Sequence, residues 1–118
     1  PLCMTRSMIN CLNINSKIAF ITSRMASIDD NTSGGSYGYR MSKVALSMAA
    51  RSLSIDLYKK QIYVGIIHPG LVSTRMTGFS KNGISTKDSA LGIINRIDSL
   101  NAKNTGSFWH ANGELLPW

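Results

Sequence analysis

The sequence has no long hydrophobic run. Its continuous apolar stretches, KIAFIT and IYVGII, fall far short of the roughly 20 residues that cross a bilayer. No segment joins a basic start to a long apolar centre, as a secretory signal does. Cysteine is scarce. Cys3 and Cys11 are the only two, and on a helix they would lie about 12 Å apart, too far for a disulfide. Two free thiols fit a reducing compartment, so a cytoplasmic location is expected. No Cys/His spacing offers a metal site. Acidic residues are few, six against thirteen Lys and Arg, for a formal net charge of +7. The basic residues are scattered, and Lys59-Lys60 is the only adjacent pair. A dispersed excess favours solubility and anionic ligands. It forms neither the basic stripe nor the module that nucleic-acid binding requires. There is no internal repeat and no low-complexity tract.

What is present is globular composition: 118 residues, 43% hydrophobic and 16% charged. This suits one small domain or part of a larger one. The first residue is Pro1, not Met, so a processed, truncated or partly observed chain is expected.

Residues 2–13 carry apolar residues at helical spacing and read as the end of a helix. The run 17–22, KIAFIT, predicts a strand buried on both faces, as in a parallel sheet. Residues 26–36 are loop by composition. A long helix is expected over 37–60. Leu46, Ala49, Ala50, Leu53 and Leu57 form one apolar stripe on it, and Val44, Met48 and Ile55 form a second. Lys59 and Lys60 suit its C-terminal dipole. A second strand over 62–67 stops at His68-Pro69-Gly70. A loop runs to about residue 85, and Ser85 or Thr86 can cap a last helix. That helix presents Ala90, Ile93, Ile94, Ile97 and Leu100 on one side. Residues 106–110 suit a third strand.

This alternation predicts an α/β fold with parallel strands and right-handed crossovers. With only three strands, the first would leave an open apolar edge, a liability in isolation. The chain is therefore expected to be the C-terminal portion of a doubly wound, Rossmann-like domain. Ligands of such folds gather at the carboxyl ends of the strands. That rim brings together Ser23, the start of the long helix and Pro69-Gly70. Tyr39 and Lys43 are four residues apart and share a helix face. An ammonium near a phenol favours the phenolate, which suits Tyr39 to acid/base work. Tyr37 has Met41 at that spacing instead. Each residue also has an ordinary reading: a solvated helix turn, a strand-end hydroxyl, a Pro-Gly turn. His68 reads as a hydrogen-bonded strand residue without a chemical role. The joint placement at one rim favours chemistry.

The segments KIAFITSRMAS, YRMSKVAL and GIIHPGLVSTRM resemble the short-chain dehydrogenase/reductase family. The closing GSFWHANGELLPW resembles its C-factor-like and sniffer-type carbonyl reductase branch. The resemblance spans essentially the whole chain. It implies a Rossmann fold, NAD or NADP as cofactor, and hydride transfer between a nicotinamide and a small carbonyl or alcohol substrate. By this resemblance Tyr39 is the acid/base, Lys43 favours its phenolate and holds the nicotinamide ribose, and Ser23 steadies the substrate oxygen. Pro69, Gly70, Val72 and Thr74 match the loop at the nicotinamide end. Met76 and Phe79 fall where the family shapes its substrate pocket. A homodimer or homotetramer is implied, with the long helix at the interface. The loop around Asp29 to Gly35 is longer than in most of the family, which leaves Ser27 as a rival to Ser23; Ser23 is preferred because it ends the strand directly. The family's glycine-rich phosphate loop, the residue that selects NAD or NADP, and its structural Asn are not among these residues. The alternative is a non-catalytic fragment or degenerate member acting through a protein partner.

Overall fold

The computed structural model describes residues 1–118. Helix α1 spans Leu2–Met8 and tightens into a 3-10 turn at Ile9–Cys11. Strand β1 follows at Lys17–Ile21, helix α2 at Tyr37–Asp56 and strand β2 at Tyr63–His68. Helix α3 spans Thr86–Asp98, and strand β3 spans Phe108–His110. The three strands form one sheet in the order β1-β2-β3. Both pairings are parallel, with Phe20 opposite Ile66 and Ile66 opposite Phe108. The fold is α/β, as the alternation of elements predicts.

Side chains alternate across a strand, and β2 shows what each face meets. Val64 and Ile66 are fully buried with Phe20, Ala50, Leu57, Ile62, Phe108 and Leu116 on the α2 side. Gly65 faces the other way. A Cβ there would lie 2.9 Å from Leu100 Cδ1, just past α3. Helices thus cover both faces of β2, which explains its continuous apolar run. Each large side chain in this core contributes roughly 1.5–3 kcal/mol by leaving water.

Several boundaries differ from expectation. The helix over 37–60 ends at Asp56, and Tyr58–Lys60 form a 3-10 turn. Gln61, at φ 55°, closes that turn. Buried Leu57 and Ile62 flank it, so the chain must reverse there to bring both into the core. Lys59 and Lys60 consequently lie beyond the helix end they were expected to cap. The third strand starts later than residue 106, because Gly106 turns the chain at φ 77°. The face of α3 is also rotated from its apolar stripe. Ser89 is buried while Ile94 is 51% exposed. The cause is close approach: a Cβ on Gly92 would lie 2.6 Å from the Ala111 carbonyl oxygen. Small residues, not the isoleucines, set that contact.

The first stripe of α2 faces the sheet, with Ala50 and Leu57 buried. The second is unpartnered, and Met48 and Ile55 are exposed. The C-terminal segment closes the α2 side. Leu116 is buried, Trp118 stacks on Phe108 at 5.6 Å, and its carbonyl accepts the Asp29 N–H at 2.8 Å. Cys3 and Cys11 are free and exposed. No helix is long and apolar enough to cross a membrane.

Candidate active site

The end of β1 is tied to the first turns of α2. Thr22 is buried, and its hydroxyl donates to the Lys43 carbonyl at 3.3 Å and pairs with the Ser47 hydroxyl at 3.0 Å. These bonds fix Ser23, the next residue, relative to the helix that carries Tyr39 and Lys43. Arg40 adds a second tie. Its guanidinium donates to the Met25 carbonyl at 3.3 Å, the Ser33 hydroxyl at 2.9 Å and the Gly34 and Gly35 carbonyls. The long loop is thereby folded onto the start of α2. Neither Thr22 nor Arg40 stood out in the sequence, because each looks like an ordinary polar residue beside a loop.

The end of β2 is held from α3. Buried Ser89 donates its hydroxyl to the Pro69 carbonyl at 2.8 Å. Gly70 follows at φ 90°, a conformation that suits glycine. The loop then folds on itself. Thr77 Oγ1 accepts the Thr74 N–H at 3.0 Å and donates to the Val72 carbonyl at 2.6 Å.

Between these two rims lies a cleft of about 640 Å³, lined by Ser23, Tyr39, Pro69, Gly70, Val72 and Thr74 among others. Met76 also lines it. Lys43 and Phe79 are not among its lining residues. Lys43 stands beside Tyr39, its Nζ 5.6 Å from the ring centre, and Phe79 is 67% exposed. Tyr39 is 42% exposed and Tyr37 is 79% exposed. Ser23 Oγ accepts the Met25 N–H at 3.2 Å, which leaves its own proton free to donate. Ser27, the rival serine, is buried away from the cleft lining, and its hydroxyl accepts the Asp30 N–H at 3.0 Å.

The cleft also holds residues the sequence did not single out. Arg24 lines it, paired with Asp30 and with Glu114 at 3.4 Å. The hydrogen bond to Asp30 holds the Arg24 pKa above its ordinary value. His68 lines the cleft as well, with its ring 4.9 Å from that of His110. The strand role expected for it included a hydrogen bond, yet its Nδ1 is buried with no partner. Burial, followed by the proximity of His110 and Arg24, pushes His68 down to about 4. His110 is lowered chiefly by burial. No cluster of metal-ligating side chains occurs.

Comparison with known proteins places the fold in a family. Residues 1–84 match the short chain dehydrogenase family. The chain is 41% identical to the C-signal of Myxococcus xanthus, over all of this chain and 72% of that protein. Among solved structures, the carbonyl reductase Sniffer of D. melanogaster superposes with a TM-score of 0.82 at 36% identity, over 95% of this chain and 46% of that one. A carbonyl reductase from Pseudomonas aeruginosa PAO1 in complex with NADP superposes with a TM-score of 0.84 at 29% identity, over 100% and 51%. The chain thus spans about half the length of these two structures. With the family match over residues 1–84 and the superposition on these structures, the chain belongs to the short chain dehydrogenase family.

Proposed function

We propose that these residues are the C-terminal part of a single NAD(P)-binding Rossmann-type domain in a carbonyl reductase, which moves a hydride between NAD or NADP and a small carbonyl or alcohol substrate. One observation carries this function. Ser23, Tyr39 and Gly70 come from three separate elements and line one cleft, with the Lys43 ammonium beside the Tyr39 ring. The NADP bound by the Pseudomonas carbonyl reductase supports the cofactor class.

The cleft fits the nicotinamide end of such a cofactor. Its volume is that of a small-molecule site. Pro69, Gly70, Val72 and Thr74 would hold that end, with Lys43 and Tyr39 toward the ribose. When bound, the nicotinamide supplies or accepts the hydride. No glycine-rich phosphate loop lies in these residues, so they account for the nicotinamide end alone.

The protein's own groups then handle the oxygen. The Ser23 hydroxyl donates a hydrogen bond to the substrate carbonyl. Tyr39 gives its phenolic proton to that oxygen as negative charge develops on it, and takes the proton back in the reverse direction. Lys43 favours the phenolate left behind. Met76, which lines the cleft, borders the substrate side, and Phe79, outside that lining, does not. Assembly into a homodimer or homotetramer would cover the exposed stripe of α2 that includes Met48 and Ile55.

A second function, a non-catalytic member acting through a protein partner, is favoured by the 41% identity to a protein named as a signal, the C-signal of Myxococcus xanthus. Titration of the full chain with NADH and NADPH, followed by intrinsic fluorescence, separates the two. Saturable coenzyme binding with carbonyl reduction is expected. Binding of neither coenzyme would favour the partner-binding function.

A further inference from the structure

His68 has no part in the chemistry assigned so far. It closes β2, opposite His110 on β3, and the two rings meet edge to face at 88°. Its ring lines the cleft beside Ser23, Tyr39 and Gly70, while its Nδ1 is buried without a partner. That orphan nitrogen selects the tautomer. A buried N–H lacking an acceptor is rarer in proteins than a buried acceptor lacking a donor. The proton therefore belongs on Nε2, and Nδ1 keeps a lone pair. The imidazolium would bury an unpaired Nδ1–H and is disfavoured further.

The groups around the ring reinforce this. His110 Nδ1 already accepts the Asn112 N–H at 3.0 Å, so the His110 proton also belongs on its Nε2. No hydrogen bond joins the two rings, and His110 acts as a packing wall. Gly70 packs against this wall and against Ile84: a Cβ there would lie 3.0 Å from Ile84 Cδ1 and 3.4 Å from His110 Cε1. Arg24, the nearby cation, discourages a second positive charge and is itself occupied by Asp30 and Glu114. The outcome is a neutral donor of fixed orientation that nothing in the protein uses.

On the carbonyl reductase function proposed above, we propose that His68 is a ligand-facing hydrogen-bond donor of the cleft, its Nε2–H directed at a carbonyl-type oxygen of the molecule held between Tyr39 and Gly70. Two molecules bring such an oxygen: the coenzyme, through its nicotinamide carboxamide, and the carbonyl substrate. A neutral donor matches a neutral oxygen, and it holds its proton across the physiological pH range.

The test compares the full chain with His68→Gln, His68→Asn and His68→Phe. The glutamine amide nitrogen falls near the place of Nε2, and the asparagine amide nitrogen near that of Nδ1. Loss of a single hydrogen bond predicts that Asn and Phe weaken binding about tenfold while Gln stays within about threefold. A weaker Kd for NADPH alone assigns the coenzyme as acceptor. A raised KM for 4-nitrobenzaldehyde at saturating NADPH, with the NADPH Kd unchanged, assigns the substrate. Nitrogen NMR of the His68 ring is expected to show the Nε2–H neutral tautomer at pH 7, a readout independent of how the variants fold. Three results overturn the proposal while leaving the enzyme function intact: an Nδ1–H tautomer, unchanged Kd and KM in Asn and Phe, or equal loss in all three variants. A wild-type chain that binds neither NADPH nor NADH overturns both.

Discussion

The ammonium of Lys43 lies 5.6 Å from the centre of the Tyr39 ring, one helical turn along the same face of α2. Tyr37, two residues earlier, points into solvent with no such neighbour. The two tyrosines of one short segment are therefore chemically unequal. Replacing Lys43 by Met keeps the stem of the side chain and removes the charge. The expected outcome is a folded protein whose carbonyl reduction falls on the order of tenfold or more. Steady-state kinetics with circular dichroism as a folding control checks it.

Thr22 acts at one remove from the chemistry. Its hydroxyl spans the Lys43 carbonyl and the Ser47 hydroxyl, locking the end of β1 to α2. Thr22→Val keeps the shape but removes the hydroxyl that pairs with buried Ser47. A stability loss of about 1–2 kcal/mol is expected, read as a lower urea midpoint. Because Ser23 follows directly, kcat should fall more than coenzyme affinity does.

Two glycines on helices should respond in opposite directions. A Cβ on Gly92 would lie 2.6 Å from the Ala111 carbonyl oxygen, whereas one on Gly38 meets nothing within 4 Å. Gly92→Ala must push α3 off the end of β3, at a cost of about 1–3 kcal/mol or more. Gly38→Ala relieves a helix of its most flexible residue and is expected to stabilise by about 0.5–1 kcal/mol. Thermal unfolding of both variants tests the contrast.

His68 gives a pH dependence with a definite sign. Its pKa falls to about 4 in the folded protein through burial, His110 and Arg24, against about 6.5 in an unfolded chain. Between these values the unfolded state binds more protons, so stability rises with pH. The contribution is complete above about pH 6.5 and is lost as pH falls toward 4. His110 is lowered too and acts in the same direction. Urea midpoints measured across this window should decline in the wild type, and decline less in His68→Phe.

Periodicity and propensity were enough to find the strands and the long helix, because β2 is apolar on both faces and α2 has two stripes. They were enough to bring Ser23, Tyr39 and Gly70 to one rim, since strand ends and helix starts share an edge in this fold. They misjudged α3, where a close approach at Gly92 and a buried Ser89 outweighed the isoleucine pattern. They overlooked Thr22, Arg40 and Ser89, whose roles are long-range hydrogen bonds that no local pattern encodes. His68 was passed over for the same reason. Its ring meets His110, which β3 brings to it from far along the chain.

The most direct test is the rate of hydride transfer from NADPH to a carbonyl substrate in Tyr39→Phe, measured with coenzyme affinity. Removing one hydroxyl that is 42% exposed as a residue leaves the fold intact. Loss of the proton donor predicts a fall of about 10²–10⁴-fold, with the NADPH Kd within a few-fold of wild type. A Tyr39→Phe protein that reduces the carbonyl at the wild-type rate would contradict the assignment of Tyr39 as the acid/base.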